Sequence, residues 1–177
     1  MRKIHPTAVV DKGAIIGEDV EIGAYSVIGK NVVIGDGSFI GPHCVIEYAR
    51  IGKNNKIIAS AYIGLPPQDY KYNNEETYVE IGDDNIIREC VSIHRGTPGG
   101  RGVTRIGNGC FLMANSHVGH DCIVGDKVVM VNSSALSGHS VVERNVTISG
   151  LVGVHQFTRI GMFAMIGGGA MVNQDII

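Results

Sequence analysis

The sequence predicts an all-β solenoid of short parallel strands built from six-residue units, and three observations predict it. An aliphatic residue recurs at every sixth position through most of the chain. Gly makes up 25 of the 177 residues against 5 Pro, about twice the usual Gly share. Ile and Val together number 44 against 4 Leu, with 6 Tyr, 4 Phe and no Trp, a balance that disfavours helices and suits strands.

The same numbers exclude other classes. The Gly has no three-residue period and the chain is 44% apolar, so neither collagen nor a disordered linker fits. A net charge of −2 supplies no global field toward nucleic acid, and neither a nucleic-acid partner nor membrane insertion is expected. No apolar run approaches the roughly 18 residues of a membrane span, and the opening MRKIHPTAVVDKGA has no signal-peptide core. Cys44, Cys90, Cys110 and Cys122 show no CxxC spacing, which reads as reduced thiols in a cytoplasmic protein.

Taken in order, the repeat units begin with Ile4, Val10, Ile16, Ile22, Ile28, Ile34, Ile40 and Ile46. After a one-residue slip come Ile51, Ile57 and Ile63, then Ile81, Ile87 and Ile93. From Ile106 the step is unbroken through Leu112, Val118, Val124, Met130, Leu136, Val142, Ile148, Val154, Ile160 and Ile166 to Val172. One inward aliphatic side chain per unit suits a short strand followed by a tight bend. Thirteen glycines stand one place after such a site, where they are expected to supply backbone angles that a Cβ forbids. Three units make a triangular coil of 18 residues, and stacked coils pair as parallel strands about 4.8 Å apart. Each coil then buries its neighbour's face.

Two segments break the period. GLPPQDYKYNNEETYVE puts Asp69 and Glu75 at expected aliphatic sites, and HRGTPGGRGVTR is one residue out of phase. Both are predicted to leave the coil as loops, over about 64–80 and 94–105. Excursions from a rigid scaffold are where binding residues concentrate.

This pattern resembles the hexapeptide-repeat proteins over nearly the whole chain. The resemblance implies a left-handed parallel β-helix over 1–177 and a homotrimer with active sites between subunits. The period alone does not supply the handedness.

Five of the seven histidines, His94, His117, His120, His139 and His155, lie between positions 94 and 155. Val118, Leu136 and Val154 are one coil apart, so His120, Gly138, His139, His155 and Gln156 follow one face in a column about 10 Å tall. Asp121 and His139 occupy equivalent positions of neighbouring coils. Three readings stay open: a chance accumulation of surface histidines, a zinc site of the γ-class carbonic anhydrase kind built on the H-x-x-H of His117 and His120, or a general base for acyl transfer. An Asp121 contact to His120 conflicts with a straight strand, whose adjacent residues face opposite ways.

Five motifs decide among these readings by resemblance. PQDYKY (67–72), IHRGT (93–97), SHVGHDC (116–122), SGH (137–139) and VHQF (154–157) closely resemble the UDP-N-acetylglucosamine 3-O-acyltransferase family, which opens lipid A biosynthesis. The resemblance implies transfer of a (R)-3-hydroxyacyl group from acyl carrier protein to the glucosamine 3-OH of UDP-N-acetylglucosamine, or to its 3-amino analogue, with no cofactor. It implies His120 as general base, Asp121 as its orienter and the Gly138 N–H as oxyanion donor. Gln68, Asp69 and Lys71 would contact the sugar and phosphate, His139, His155 and Gln156 the nucleotide sugar or the acyl-phosphopantetheine arm, and His94 and His117 would support the pocket. Gly168 falls at the family's acyl-chain ruler, although it also reads as a corner glycine.

The chain departs from the family at Tyr70, where Leu is commoner, and at its end. Family members normally continue into a helical C-terminal domain, which is expected to be absent here. A β-helix that binds nucleotide sugar or carrier protein without turnover is therefore a third alternative.

Overall fold

The computed structural model describes residues 3–177. All regular structure among them is strand: twenty-six short parallel strands in three sheets of nine, nine and eight, wound as a left-handed parallel β-helix. Among the described residues no helix is long and apolar enough to cross a membrane. The first sheet carries Ile22, Ile40 and Ile57, the second Ile28, Ile46 and Ile63, and the third Ile34, Ile51 and Ile81.

The register records each irregularity of the sequence. Partners are 18 residues apart where the period is regular, as in His117 with Ala135. The spacing is 17 at the slip, where Val45 pairs with Tyr62. It grows to 30 across the first break, Tyr62 with Ser92, and to 25 across the second, Ser92 with His117. Strands reach further into both breaks than the period indicates, because ladder pairing needs only backbone groups. Leu65 pairs with His94 through a bulge and Tyr78 with Val103, leaving loops of 66–77 and 95–102. The slip and both loops fall on one edge of the prism, between the second and third sheets.

Most units bury two side chains, where one was expected. Leu112 and Val118 point inward, and so do Cys110 and Ser116 two places before them. This second position sits near the corner and takes residues no longer than Val or Asn, among them Ser26, Val32, Asn55, Ala61, Cys122 and Ser140. Three cysteines occupy it, so Cys44, Cys110 and Cys122 are buried while Cys90 is exposed, and all four are free. Burial pushes the thiols of Cys110 and Cys122 up, to about 11 and about 12, which makes them poor nucleophiles.

The glycines correct another expectation. Of the thirteen that follow an aliphatic site only Gly64 has a positive φ, 76°. The left-handed residue lies two places further on and is usually not Gly, as at Asp19, Tyr25, His43, Asp121 and His139. Ten of the thirteen serve close approach instead, with an added Cβ falling under 3.0 Å from a neighbouring atom. A Cβ on Gly41 would lie 1.2 Å from the Ile58 carbonyl oxygen of the next coil, whereas one on Gly167 meets nothing within 4 Å. Gly41→Ala is therefore expected to destabilise the fold by about 3 kcal/mol through forced backbone displacement. Gly167→Ala should stabilise it by about 0.4–1 kcal/mol through the unfolded chain. Urea melts of the two variants compare them directly.

Candidate active site

Asp121 ends a tight turn in the left-handed region, with φ 59°. This bend resolves the alternation conflict, since it folds the carboxylate back onto the preceding residue. His120 Nδ1 lies 2.9 Å from Asp121 Oδ2, with Asp121 fully buried.

The second loop wraps around that carboxylate. Oδ2 accepts from the Thr97 N–H at 3.0 Å and the Thr97 hydroxyl at 2.7 Å. Oδ1 accepts from the Arg101 N–H at 2.6 Å and the Gly102 N–H at 3.1 Å. Gly100 must lack a side chain, because a Cβ there would sit 2.5 Å from the carboxyl carbon. Burial alone would raise the Asp121 carboxyl, but the hydrogen bonds from His120, Thr97 and Arg101 overcome it and hold it at about 2. Facing an ionised acceptor, the neutral imidazole of His120 donates from Nδ1, the tautomer that leaves the Nε2 lone pair free.

Nε2 points at Gly138. A Cβ on that residue would stand 2.6 Å from both Nε2 and Cε1 of His120, and the Gly138 N–H has no acceptor among the described residues. His139, one coil after Asp121, sets its ring edge against His120 at 5.0 Å and stacks on Phe157 at 4.6 Å. Its Nε2 is 3.9 Å from Asp121 Oδ2. Burial is the largest influence on the His139 imidazole and lowers its pKa.

Behind this pair His94 and His117 meet edge to face at 4.8 Å, and His117 Nδ1 pairs with the Ser92 hydroxyl at 2.8 Å. Burial, reinforced by repulsion from His117 and His120, pushes His94 down to about 4. Folding therefore holds His94 neutral at a pH where the unfolded chain binds a proton. Stability is present in full above pH ~6.5 and falls as pH drops toward ~4, by on the order of 3 kcal/mol from this group. Urea midpoints measured across that window should decline, and His94→Gln should flatten the decline.

The first loop closes the site. Asp69 Oδ1 accepts the Lys71 N–H at 2.9 Å, which turns the loop over a cavity of about 200 Å³. Asp69, Lys71 and Tyr72 line one side of it, and Thr97, Pro98, Gly99 and His139 the other. Gln68 lies apart, in a neighbouring hollow with Pro67 and Tyr70. His155 and Gln156 are exposed, and among the described residues neither hydrogen-bonds to the histidine cluster. Gly168 is exposed and lies on a different edge, with space for a Cβ 3.4 Å from the Gly150 carbonyl.

The periodicity did not single out Thr97, Gly100, Arg101 or Phe157. The first three lie in the segment that breaks the period, which marks a loop without saying which carboxylate it embraces. Phe157 follows His139 by 18 residues, and that spacing was the available signal.

His120, Asp121 and His139 offer ligand atoms within 4.8 Å of one another. They fit a metal poorly, because Asp121 already accepts four hydrogen bonds from the second loop besides that from His120, and its lone pairs are taken.

The bacterial transferase hexapeptide (six repeats) model matches residues 13–48 and 104–138. An acyl-carrier-protein-dependent UDP-N-acetylglucosamine O-acyltransferase of Stenotrophomonas maltophilia is 49% identical over 98% of this chain and 66% of its own. The enzyme of the same name from Syntrophobacter fumaroxidans is 50% identical over 98% and 68%. The solved structure of LpxA from Acinetobacter baumannii superposes with a TM-score of 0.97 at 44% identity, over 98% of this chain and 67% of that one. This chain thus spans about two thirds of the length of the relatives it matches. Identity near one half over 98% of the chain shows that it belongs to the UDP-N-acetylglucosamine O-acyltransferase family.

Proposed function

We propose that the chain carries the active site of an acyltransferase. It moves a (R)-3-hydroxyacyl group from acyl carrier protein to the glucosamine 3-OH of UDP-N-acetylglucosamine, the first step of lipid A biosynthesis. The observation that carries this reading is His120, with Nδ1 tied to a caged Asp121 and Nε2 open toward Gly138.

In the reaction the sugar 3-OH attacks the thioester carbonyl while His120 Nε2 takes its proton. The carbonyl oxygen becomes an oxyanion that the unpartnered Gly138 N–H stabilises. Collapse of the tetrahedral intermediate breaks the C–S bond, and the imidazolium returns the proton to the departing thiolate. Asp121 stays ionised throughout and balances the imidazolium charge. Asp69 and Lys71 hold the sugar and phosphate end in the cavity, with Gln68 at its margin. A cation opposite diphosphate is the expected chemistry there. His139 lines the same cavity, and neutral His94 and His117 put no competing positive charge behind His120.

His155, Gln156 and Gly168 contribute from positions outside this cluster, toward the nucleotide, the phosphopantetheine arm and the acyl chain. A cyclic trimer brings a different edge of a neighbouring subunit to the His120 edge, and we assign Gly168 to that contact. An acceptor with a 3-amino group would use the same base. The free, mostly buried thiols suit a cytoplasmic protein.

The test is transfer from carrier-bound 3-hydroxyacyl chains of several lengths to UDP-N-acetylglucosamine and to its 3-amino analogue. Product with either acceptor supports the reading. Tight sugar-nucleotide binding without product would identify a binding scaffold instead.

A further inference from the structure

We infer that Arg95 is a positioning residue that fixes the substrate-contacting loop 66–77 against the loop 95–102 that orients the His120–Asp121 pair. The inference rests on the acyltransferase reading for what the first loop contacts. Arg95 is only 4% exposed, and an arginine is rarely so buried unless its charge and donors are met.

Elements that converge on this edge meet the charge and two of the donors. Arg95 Nε donates to the Tyr72 hydroxyl at 2.8 Å and NH1 to the Gly64 carbonyl at 2.8 Å. The guanidinium carbon lies 4.3 Å from the Tyr48 ring centroid and 5.3 Å from that of Tyr72. The Glu47 carboxylate, 3.8 Å away, supplies the counter-charge. Glu47 and Tyr48 belong to the unit shortened by one residue, and Tyr48 adopts φ 42°. The slip in the period thus has a structural use, which is to form one wall of the Arg95 site.

The backbone continues the tie. Arg95 N–H donates to Leu65 O at 3.2 Å and Gly96 N–H to Tyr78 O at 3.3 Å. Tyr72 itself donates to Glu75 O at 2.6 Å. The start, crown and end of the first loop are therefore all anchored on residues 95–96. The next residue, Thr97, grips Asp121 with its N–H and its hydroxyl. A continuous chain of contacts runs from Asp69 and Lys71 through Tyr72, Arg95, Thr97 and Asp121 to His120. Arg95 does not line the cavity, so it acts on substrate through Tyr72 and Thr97 and not as a phosphate ligand. Lys cannot replace it, since an ammonium lacks both the fork and the planar stacking face.

Hydrogen–deuterium exchange on the chain, Arg95→Met and Arg95→Lys, together with calorimetric titration of UDP-N-acetylglucosamine, tests this. Both variants should exchange the amides of 66–77 and of Thr97, Arg101 and Gly102 about tenfold faster or more, while the core amides at Leu112, Met130 and Ile148 keep their protection. Affinity for UDP-N-acetylglucosamine should fall about tenfold or more in parallel. Three results would overturn the inference: loosening of 66–77 alone, loss of protection throughout the coil, or faster exchange with unchanged affinity. Failure of the unmodified chain to bind UDP-N-acetylglucosamine, with the exchange pattern as expected, would overturn the acyltransferase reading and support the Arg95 tie.

Discussion

Replacing His120 with alanine is expected to lower acyl transfer about 10²- to 10⁴-fold, the contribution of a positioned general base. The fold should survive. Among the described residues the only hydrogen bond of the His120 side chain is to Asp121, whose carboxylate keeps the Thr97, Arg101 and Gly102 donors when the imidazole is gone. Unchanged circular dichroism and unchanged binding of UDP-N-acetylglucosamine, together with lost turnover, would assign the loss to chemistry. Turnover close to that of the unmodified chain would remove His120 from the mechanism. This result has the largest consequence for the proposed function, because every other role is defined relative to that ring.

The second large effect is expected from one added methyl group. Gly138 does not adopt a positive φ, so its backbone accepts alanine without strain. The Cβ would nevertheless stand 2.6 Å from the His120 ring atoms, inside contact distance. The ring can yield only by swinging away from Asp121 and giving up a 2.9 Å hydrogen bond. A displacement of about 1 Å at a reacting group can cost about 10² in rate. Gly138→Ala should therefore lose about a hundredfold in kcat while its urea midpoint stays near that of the unmodified chain. Near-normal kcat in this variant would show that Nε2 does not work from its position beside Gly138.

The two experiments separate features that the sequence shows from features it does not. The six-residue period places every coil, because a solenoid repeats one short geometric rule and each residue's face follows by counting. The same counting puts Asp121 and His139 at one corner. The structure finds both there, at φ 59° and 64°. Counting also has limits within the coils. It expected one inward residue per unit and missed the second position that holds Cys110 and Ser116. That position mixes Val, Ala and Cys with Ser, Thr and Asn, so its hydrophobic signal is intermittent and does not stand out as a period. Counting placed glycines at the bends for their backbone freedom, whereas at most of them, as at Gly41, the approach of the next coil is what requires Gly.

At the site the division is clearer. The sequence by itself determined the β-helix and the edge where histidines accumulate and, through the motif resemblance, which residues are proposed to carry the chemistry. Only the tertiary structure decided that the second loop cages Asp121, that Arg95 joins the two loops, and that His155, Gln156 and Gly168 lie outside the cluster formed within one chain. The physical reason is the range of the interactions. Positions in a coil are set by neighbours at fixed separation and repeat, so they leave a period to read. A loop is held by contacts between residues 20 to 31 apart in the chain, as between the Arg101 N–H and the Asp121 carboxylate and between the Arg95 guanidinium and the Gly64 carbonyl. Such contacts occur once, and no repetition in the sequence records them.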